Sequence, residues 1–355
     1  MLSVFVGGCT LEALERVCFD PGGGREPEAL DCVASLVDKN LVRPEEVDGR
    51  TRFGLLETMT EYARLRFIRN PRAPEVRRRH AAYYLELAEL AEPELHKRDQ
   101  MSWLDRLERE NGNLSSAMAW FLEHGEAEGA LRLAVALKWL WYRSGRFGEG
   151  RQLLEESTAL SQLPQRQKLR ARALEALAWL MFTQGDWERS RVLYEQSLEL
   201  FRRLRDPQGE SSALAGLGVA ERWLGDREVG TKHVEQAVGV ARRQVHPLYL
   251  AYALIWAYAT TEGKFRGQPP REELDQALVL ARRWGDLWAI AHSLQGLQEA
   301  FTRASAKTAW DRELAEAYST YGVDQASQWT AGRAMVLDEA IGFALPETAE
   351  QGGSG

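Results

Sequence analysis

The sequence lacks the features that mark membrane and secreted proteins. No stretch holds the about 18 uninterrupted apolar residues that a membrane-spanning helix needs. The N-terminal run MLSVFVGGCT has no basic flank of the kind that precedes a secretory signal. The cysteines, Cys9, Cys18 and Cys32, form no Cys-x-x-Cys pair and are typical of reduced thiols. We therefore expect a cytoplasmic chain that contacts no membrane.

Catalytic and cofactor-binding motifs are missing as well. The sequence contains no Gly-x4-Gly-Lys-Ser/Thr phosphate loop, no His-Glu-x2-His and no Gly-x-Ser-x-Gly nucleophile turn. Its six histidines are scattered along the chain rather than placed at metal-ligand spacing. We predict a protein that is not an enzyme, with no catalytic residues, no metal site and no cofactor.

Charge is acidic overall and basic in one place. A net charge of -7 and a pI near 5.6 argue against a chain that coats nucleic acid along its length. Residues 61–80, however, contain seven arginines against Glu61 and Glu75. Either this stretch contacts phosphates or an acidic partner, or it is a solvated face that docks on the acidic remainder of the chain. The candidate contacts are Arg64, Arg69, Arg77, Arg78 and Arg79.

A period of 40 residues runs through the chain from about residue 126. Positions 154, 194, 234, 274 and 314 are large and apolar or aromatic, and positions 157, 197, 237, 277 and 317 are all Ser or Ala. Glycine turns such as Gly185-Asp186 and Gly225-Asp226 separate two helical stretches within a period. Each unit is therefore predicted to be helix, turn, helix, with small residues such as Ser190 and Gly230 allowing close helix contacts.

The pattern resembles the tetratricopeptide repeat. The matching residues are Leu214-x2-Leu217-Gly218 in the first helix, the Gly-Asp turn, and Ser190, Tyr194 and Ser197 in the second. The period exceeds the about 34 residues of the common form, and extra turns over residues 199–205 account for the difference. The fold class expected is mainly α, an α-solenoid of about five tetratricopeptide-like helix pairs over residues 126–345.

Residues 1–70 do not follow this period. Thr10 is placed to cap a helix that ends near Phe19, and a second helix is predicted over residues 28–39. Asp48-Gly49 lies between two short strand-like runs, which indicates a hairpin, and helical spacing resumes at Glu57. Helix, helix, hairpin, helix is the order of a winged-helix domain.

The runs LVRPEEVDGRTRFGLLETMTEYARLRF and RRRHAAYYLELAE resemble the junction between winged helix and repeats in STAND-type signal-transduction ATPases, especially LuxR-type and predicted-ATPase regulators of bacteria. The run WTAGRAMVLDEAIGFAL resembles the end of their repeats. The nucleotide-binding domain that precedes the winged helix in that family, and the helix-turn-helix that follows its repeats, are not found in this sequence. The organisation expected is a winged-helix-like domain (1–70), a helical linker (71–125), the repeat array (126–345) and a disordered tail (346–355).

In tetratricopeptide arrays the first helix of each pair lines a concave groove. Transferring the family's groove positions onto this sequence, with Gly185 as the anchor, gives a surface that is aromatic and rich in arginine in its N-terminal half. Aromatic and arginine side chains carry much of the energy of protein interfaces. The candidate groove residues are Arg132, Trp139, Tyr142, Arg143, Arg172, Glu175, Trp179, Phe182, Arg222 and Trp223.

Three hypotheses follow from these patterns. The first is a non-enzymatic sensor that binds a peptide, a protein or a small effector in the groove and controls an ATPase domain or another partner. The second is a transcriptional regulator that contacts DNA through the winged helix and its arginines. The third is a passive, self-associating scaffold, in which groove substitutions change stability and never binding.

Overall fold

The computed structural model describes residues 1–19, 29–47, 49–160, 166–244, 246–261 and 271–303. Contacts divide the chain into two compact units. The first comprises Met1–Pro93 and Met101–Ala173, and the second comprises Glu94–Gln100 and the chain from Leu174 onward. Among the helices that the structure describes, none is long and apolar enough to cross a bilayer.

The first unit opens with a small three-stranded antiparallel sheet in the order β1-β3-β2. Thr10 begins the first helix as predicted, because its hydroxyl accepts a hydrogen bond from Ala13 N at 3.2 Å. Gly49 has a φ of +68°, the left-handed conformation that the hairpin signal required. The winged-helix order is confirmed: β1 (Cys9–Thr10), α1 (Leu11–Cys18), α2 (Ala29–Asp38), β2 (Val42–Val47), β3 (Arg50–Leu55) and α3 (Glu57–Ile68).

Seven further helices are described next, and the last of them, α10, begins in the first unit and ends in the second. They are α4 (Ala73–Glu94), α5 (Gln100–Arg109), α6 (Asn111–Glu123), α7 (Ala127–Ala136), α8 (Lys138–Arg143), α9 (Phe147–Leu160) and α10 (Gln167–Thr183). The helix, turn, helix pattern predicts one first helix in this repeat, whereas the structure has two, α7 and α8, with Leu137 between them. Leu137 has a φ of −87° and a ψ of −1°, and its backbone N–H donates to Leu133 O, as in an α-helix, and also to Val135 O.

The second unit continues the helical hairpins beyond α10. Its helices are α11 (Trp187–Leu204), α12 (Pro207–Leu224), α13 (Arg227–Gln244), α14 (Pro247–Thr261), α15 (Arg271–Trp284) and α16 (Leu287–Arg303). The extra turns predicted for the second helix are present in α11, which ends where Arg205 takes a left-handed φ of +52°. Residues 262–270 and everything predicted beyond Arg303, including repeat positions 314 and 317 and the tail, lie outside the described residues.

The helices of the second unit pack as a stacked array. Helix α12 packs on α11, α13 and α14, and α14 packs on α13, α15 and α16. Small residues make the close contacts, as the sequence predicted: a Cβ added to Gly218 would lie 2.5 Å from Gly230 O. The buried Ser190 hydroxyl donates to Ala178 O at 2.8 Å, which ties α11 to α10. The expected tetratricopeptide-like solenoid is therefore the fold of this part of the chain.

Candidate functional site

In the first unit, two of the predicted groove arginines are paired with glutamates of α4. Arg132 donates to Glu89 through two parallel hydrogen bonds, Nε to Oε1 at 2.7 Å and Nη2 to Oε2 at 2.6 Å. The bonds to Glu89 raise the pKa of the Arg132 guanidinium. Arg172 forms an ion pair with Glu92. These side chains are half-exposed, so both arginines are paired with carboxylates at a surface that water still reaches.

Three more predicted groove residues lie together on α8. Trp139 meets Tyr142 edge to face with ring centroids 5.5 Å apart, and Tyr142 also contacts Phe147. The Lys138 ammonium lies 5.7 Å from the Trp139 ring centroid. Arg143 is half-buried at the end of the same helix. The short helix after the break at Leu137 therefore presents an aromatic surface with cations beside it.

In the second unit, Trp179 and Phe182 of α10 belong to a larger ring cluster. Trp179 lies 5.6 Å from Trp256 of α14 and 6.3 Å from Trp288 of α16, measured between ring centroids. Trp256 and Trp288 are themselves 5.5 Å apart. Trp288 is buried, whereas Trp179, Phe182 and Trp256 are half-exposed. We call Trp179, Phe182, Trp256 and Trp288 the aromatic cluster.

Trp256 and Trp288 are not among the predicted groove residues. A step of 40 residues from Trp179 leads to Val219 and then to Ala259. Trp256 lies three residues before that last position, one turn away on the same helix, and Trp288 lies well outside the register. The two rings therefore do not stand at repeats of the Trp179 position, and a search at a fixed step from Trp179 does not recover them.

Glu175 and Trp223 have different surroundings from the cluster. Glu175 Oε1 accepts a hydrogen bond from the Ser212 hydroxyl at 2.8 Å, which links α10 to α12. Trp223 is 58% exposed and packs on Trp187 at a centroid distance of 5.1 Å. It lies in the last turn of α12 beside half-buried Arg222, next to the Gly225 turn. Trp223 is thus found with Trp187 near the hairpin turns and not with the aromatic cluster.

A polar site that the sequence analysis missed lies in the same unit. His96 Nδ1 is 2.8 Å from the Tyr252 hydroxyl oxygen and 3.0 Å from Asp286 Oδ2, and the Tyr252 hydroxyl also donates to Asp286. Buried Gln100 donates from Nε2 to Gly285 O at 2.8 Å. The segment Glu94–Gln100 therefore lies against the repeats. The sequence contained one signal for a turn at this site, because Gly285-Asp286 has the same Gly-Asp pair as the turns at Gly185-Asp186 and Gly225-Asp226.

The arginines of the basic stretch, residues 61–80, differ in their surroundings. Arg78 and Arg79 both donate to Glu75, and these bonds lower the pKa of that carboxyl to about 2. Arg79 also donates to Phe19 O. Arg69 is exposed at the end of α3. The predicted triple-arginine run is therefore partly neutralised by its own helix.

Two other predicted arginines line one cavity of about 820 Å³ in the first unit. Arg64 and Arg77 share it with Arg43 of the hairpin, and all three are exposed. The Arg77 guanidinium lies over the Phe67 ring at 5.6 Å. Arg52, Glu45 and Glu123 also line the cavity, so its lining has four arginines against two glutamates.

A buried polar network lies beside this cavity. Asn113 Oδ1 accepts from Val6 N at 2.7 Å and lies 3.2 Å from His80 Nε2, while Asn113 Nδ2 donates to Glu110 Oε2. Burial lowers the pKa of His80 from 6.5 to about 4, although the bond to Asn113 acts the other way. This histidine is therefore uncharged at neutral pH, and it is part of the buried core.

Reactive and metal-binding groups have little support in the part of the chain that the structure describes. Burial raises the pKa of the Cys18 thiol to about 11 and that of Cys9 further, which keeps both thiols protonated. Within the described ranges, His, Cys, Asp and Glu side chains form no group of three that could hold a metal ion.

The fold defines the class of protein: a mainly α, tetratricopeptide-like solenoid with a small winged-helix-like domain at its N-terminal end. No family model matches the sequence. Rv0890c of Mycobacterium tuberculosis and Mb0914c of Mycobacterium bovis, both named as candidate HTH-type transcriptional regulators, are each 37% identical over 150 residues, which is 42% of this chain. The matched part spans 17% of the length of these curated relatives.

Solved structures with a similar course of the chain are repeat proteins at low identity. The STAND protein PH0952 of Pyrococcus horikoshii, described as having a tetratricopeptide repeat sensor, is 15% identical with a TM-score of 0.47 over 86% of this chain and 47% of that one. The apo form of RapI is 11% identical with a TM-score of 0.46 over 71% of this chain and 96% of that one.

Proposed function

We propose that the chain is the interaction module of a signalling or transcriptional regulator, and that it binds a peptide or protein segment on the inner surface of its repeats. Helical repeat arrays use such surfaces to bind extended partners. The observation that carries the proposal is the aromatic cluster. Three of its rings, Trp179 and Phe182 of α10 and Trp256 of α14, keep part of their surface open to solvent.

Physical chemistry favours a partner at this place. Large rings gain much free energy when a partner covers them and lose little conformational entropy in the process. A repeat array that served only as a scaffold would be expected to bury such rings fully. The half-exposed arginine pairs of the first unit add charged groups that an incoming segment can contact.

The regulatory part of the proposal draws on the relatives. They are named as candidate transcriptional regulators and are several times longer than the matched stretch. In such a protein, binding on the repeats would control an attached ATPase or DNA-binding domain. The same binding event would also act on a separate partner protein that contacts the module. A small effector remains an alternative occupant of the same surface.

The experiment is a peptide-display selection against the purified chain, followed by affinity measurements on the selected peptides. Trp179→Ala and Trp256→Ala are expected to weaken binding at least tenfold while the circular dichroism spectrum stays unchanged. Trp223→Ala is the matched control, because it removes an exposed tryptophan outside the cluster. Failure to select any peptide, or equal losses in all three variants, would favour the passive scaffold.

A second candidate function is anion or DNA contact by the first unit. The cavity lined by Arg43, Arg64 and Arg77 favours it, because three exposed guanidiniums converge there. Salt-dependent retention on a DNA column that is lost in Arg64→Ala/Arg77→Ala supports it. Arg78→Ala is the control, since Arg78 is already paired with Glu75. Retention that is equal in all these proteins, or absent from the unaltered chain, excludes this role.

A further inference from the structure

The segment Glu94–Gln100 is the strongest lead to the chemistry of the partner. It belongs to the second unit, although the residues on both sides of it, Pro93 and Met101, belong to the first. Leu95 is buried at 3% exposure and Gln100 is fully buried. His96 contacts Tyr252 and Asp286 of the repeats. The repeats thus hold a short, mostly non-helical stretch of the chain as they would hold a peptide.

Asp286 requires hydrogen-bond donors, because it is a carboxylate at 1% exposure. Its Oδ1 accepts from Ala289 N at 2.8 Å and so caps α16, and its Oδ2 accepts from the Tyr252 hydroxyl. The array itself supplies these two donors. A carboxylate accepts more hydrogen bonds than two. With its proton on Nδ1, His96 supplies the third, so this position selects a donor side chain.

The backbone of the array also fits the segment. Gly285 has a φ of +78°, and a Cβ added to it would lie 2.8 Å from Arg98 N. Only glycine therefore permits this approach. Gly285 O accepts the hydrogen bond from Gln100, which fixes the segment at a second point four residues after His96.

We propose that the second unit recognises a peptide in which an apolar residue is followed by a histidine, and that Leu95–His96 occupies this position in cis until such a peptide replaces it. This inference rests on the proposed function, since it names the ligand of the same inner surface. The recognition elements are Tyr252, Gly285 and Asp286.

A peptide in solution can compete with the cis segment for this site. The segment contributes one buried leucine, one imidazole and one buried glutamine, and a tethered segment competes at an effective concentration on the order of millimolar. A partner that reaches beyond these contacts gains the neighbouring rings as well, because Trp288 of the aromatic cluster lies 5.5 Å from the Tyr252 ring. A longer peptide with the same two residues therefore outcompetes the cis segment.

The test uses a fluorescently labelled peptide with the sequence of residues 92–102, EPELHKRDQMS. Its anisotropy is titrated with the full chain, with Leu95→Ser/His96→Ala, and with the control Asp99→Ala, which changes an exposed residue of the same segment. The double variant is expected to bind at least tenfold more tightly than the unaltered chain and Asp99→Ala, because its own segment no longer fills the site. His96→Ala alone is the milder variant if the double variant does not fold.

Specificity is checked from both sides. We call Leu95→Ser/His96→Ala the opened variant. A peptide with alanine in place of the histidine should bind the opened variant at least tenfold more weakly than the original peptide does. Adding Tyr252→Phe to the opened variant should weaken its binding of the original peptide. Equal binding by the opened and unaltered chains, or equal binding of both peptides, overturns the inference. If selected peptides still bind in a Trp179-dependent manner in that case, the proposed function stands without it. If no selected peptide binds, both the inference and the proposed function fail.

Discussion

The two units differ in the interactions that surround the predicted groove residues. In the first unit, Arg132 and Arg172 form ion pairs with Glu89 and Glu92 at half-exposed positions. In the second, tryptophans from α10, α14 and α16 interlock, and a buried carboxylate is satisfied by donors from two segments. Predicted groove residues therefore take part in ion pairs in the first unit and in the aromatic cluster in the second.

This difference should be visible in stability. Half-exposed ion pairs contribute about 0–1 kcal/mol, because solvent screens them and two long side chains must be ordered. A buried tryptophan removes a large apolar surface from water and makes many contacts, so its loss costs several times more. The largest effects are therefore expected in the second unit's rings and the smallest in the first unit's arginines.

Trp288→Ala should have the largest effect. The side chain is 5% exposed and touches Trp179, Tyr252 and Trp256, so the substitution leaves a cavity and should cost about 3–5 kcal/mol. The change is read from the midpoint of urea unfolding monitored by circular dichroism. A midpoint close to that of the unaltered chain would mean that the cluster does not hold the array together.

His80 should make the first unit sensitive to acid. The imidazole takes up a proton near pH 6.5 in the unfolded chain, whereas burial holds its folded pKa at about 4. Its contribution to stability is therefore complete above pH 6.5 and is lost as the pH falls toward 4, which amounts to about 3 kcal/mol.

His80→Gln keeps an amide donor toward Asn113 and removes the titration. Urea midpoints measured between about pH 7 and about pH 4.5 should fall less in this variant than in the unaltered chain. Glu75 contributes little to the loss in this range, because its own stabilisation is lost only as the pH falls from its unfolded pKa of 4.5 toward its folded pKa of about 2. If the urea midpoints of the two proteins fall equally with pH, the acid sensitivity arises from other groups.

Ser190→Ala should have a moderate effect. The substitution removes the buried hydrogen bond from the Ser190 hydroxyl to Ala178 O and should cost about 1 kcal/mol. The matched control is Ser212→Ala, whose hydroxyl bonds half-buried Glu175 and should cost less. The two variants are compared by thermal unfolding. A larger loss for Ser212→Ala would show that the α10–α12 link outweighs the close contact of α10 with α11.

Arg132→Gln should have the smallest effect. The paired side chains of Arg132 and Glu89 are 40% and 35% exposed, so the expected loss is below about 1 kcal/mol and should shrink further at high salt. Urea midpoints at low and high salt measure it. A loss that is larger and independent of salt would show that this pair acts as part of a desolvated network.

Much of the fold could be predicted from residue patterns that act locally. Thr10 as a helix cap, Gly49 in the hairpin and the glycine turns at Gly185 and Gly225 are short-range signals, and each is found in the structure. The large and small positions also had their predicted roles, since Tyr194 is buried and packs on Gly216. The break at Leu137 had no comparable signal, because leucine is a good helix former.

The candidate site was only partly accessible to the same reasoning. The sequence indicated Trp179 and Phe182, and the structure brings them together with Trp256 and Trp288. It also named Trp223, which the structure pairs with Trp187 instead. The groove positions as a whole stay predictions until binding is measured. The predicted domain boundaries also stay predictions.

The sequence by itself determined the helix pairs, the winged-helix order and the positions where helices approach closely, because caps, turns and apolar periodicity act over a few residues. Only the tertiary structure decided which distant side chains meet: Glu89 with Arg132, and His96 with Asp286 across 190 positions of the chain. Such pairs depend on how each helix is rotated and on which segment lies against it. No repeat of fixed length in a sequence contains that information.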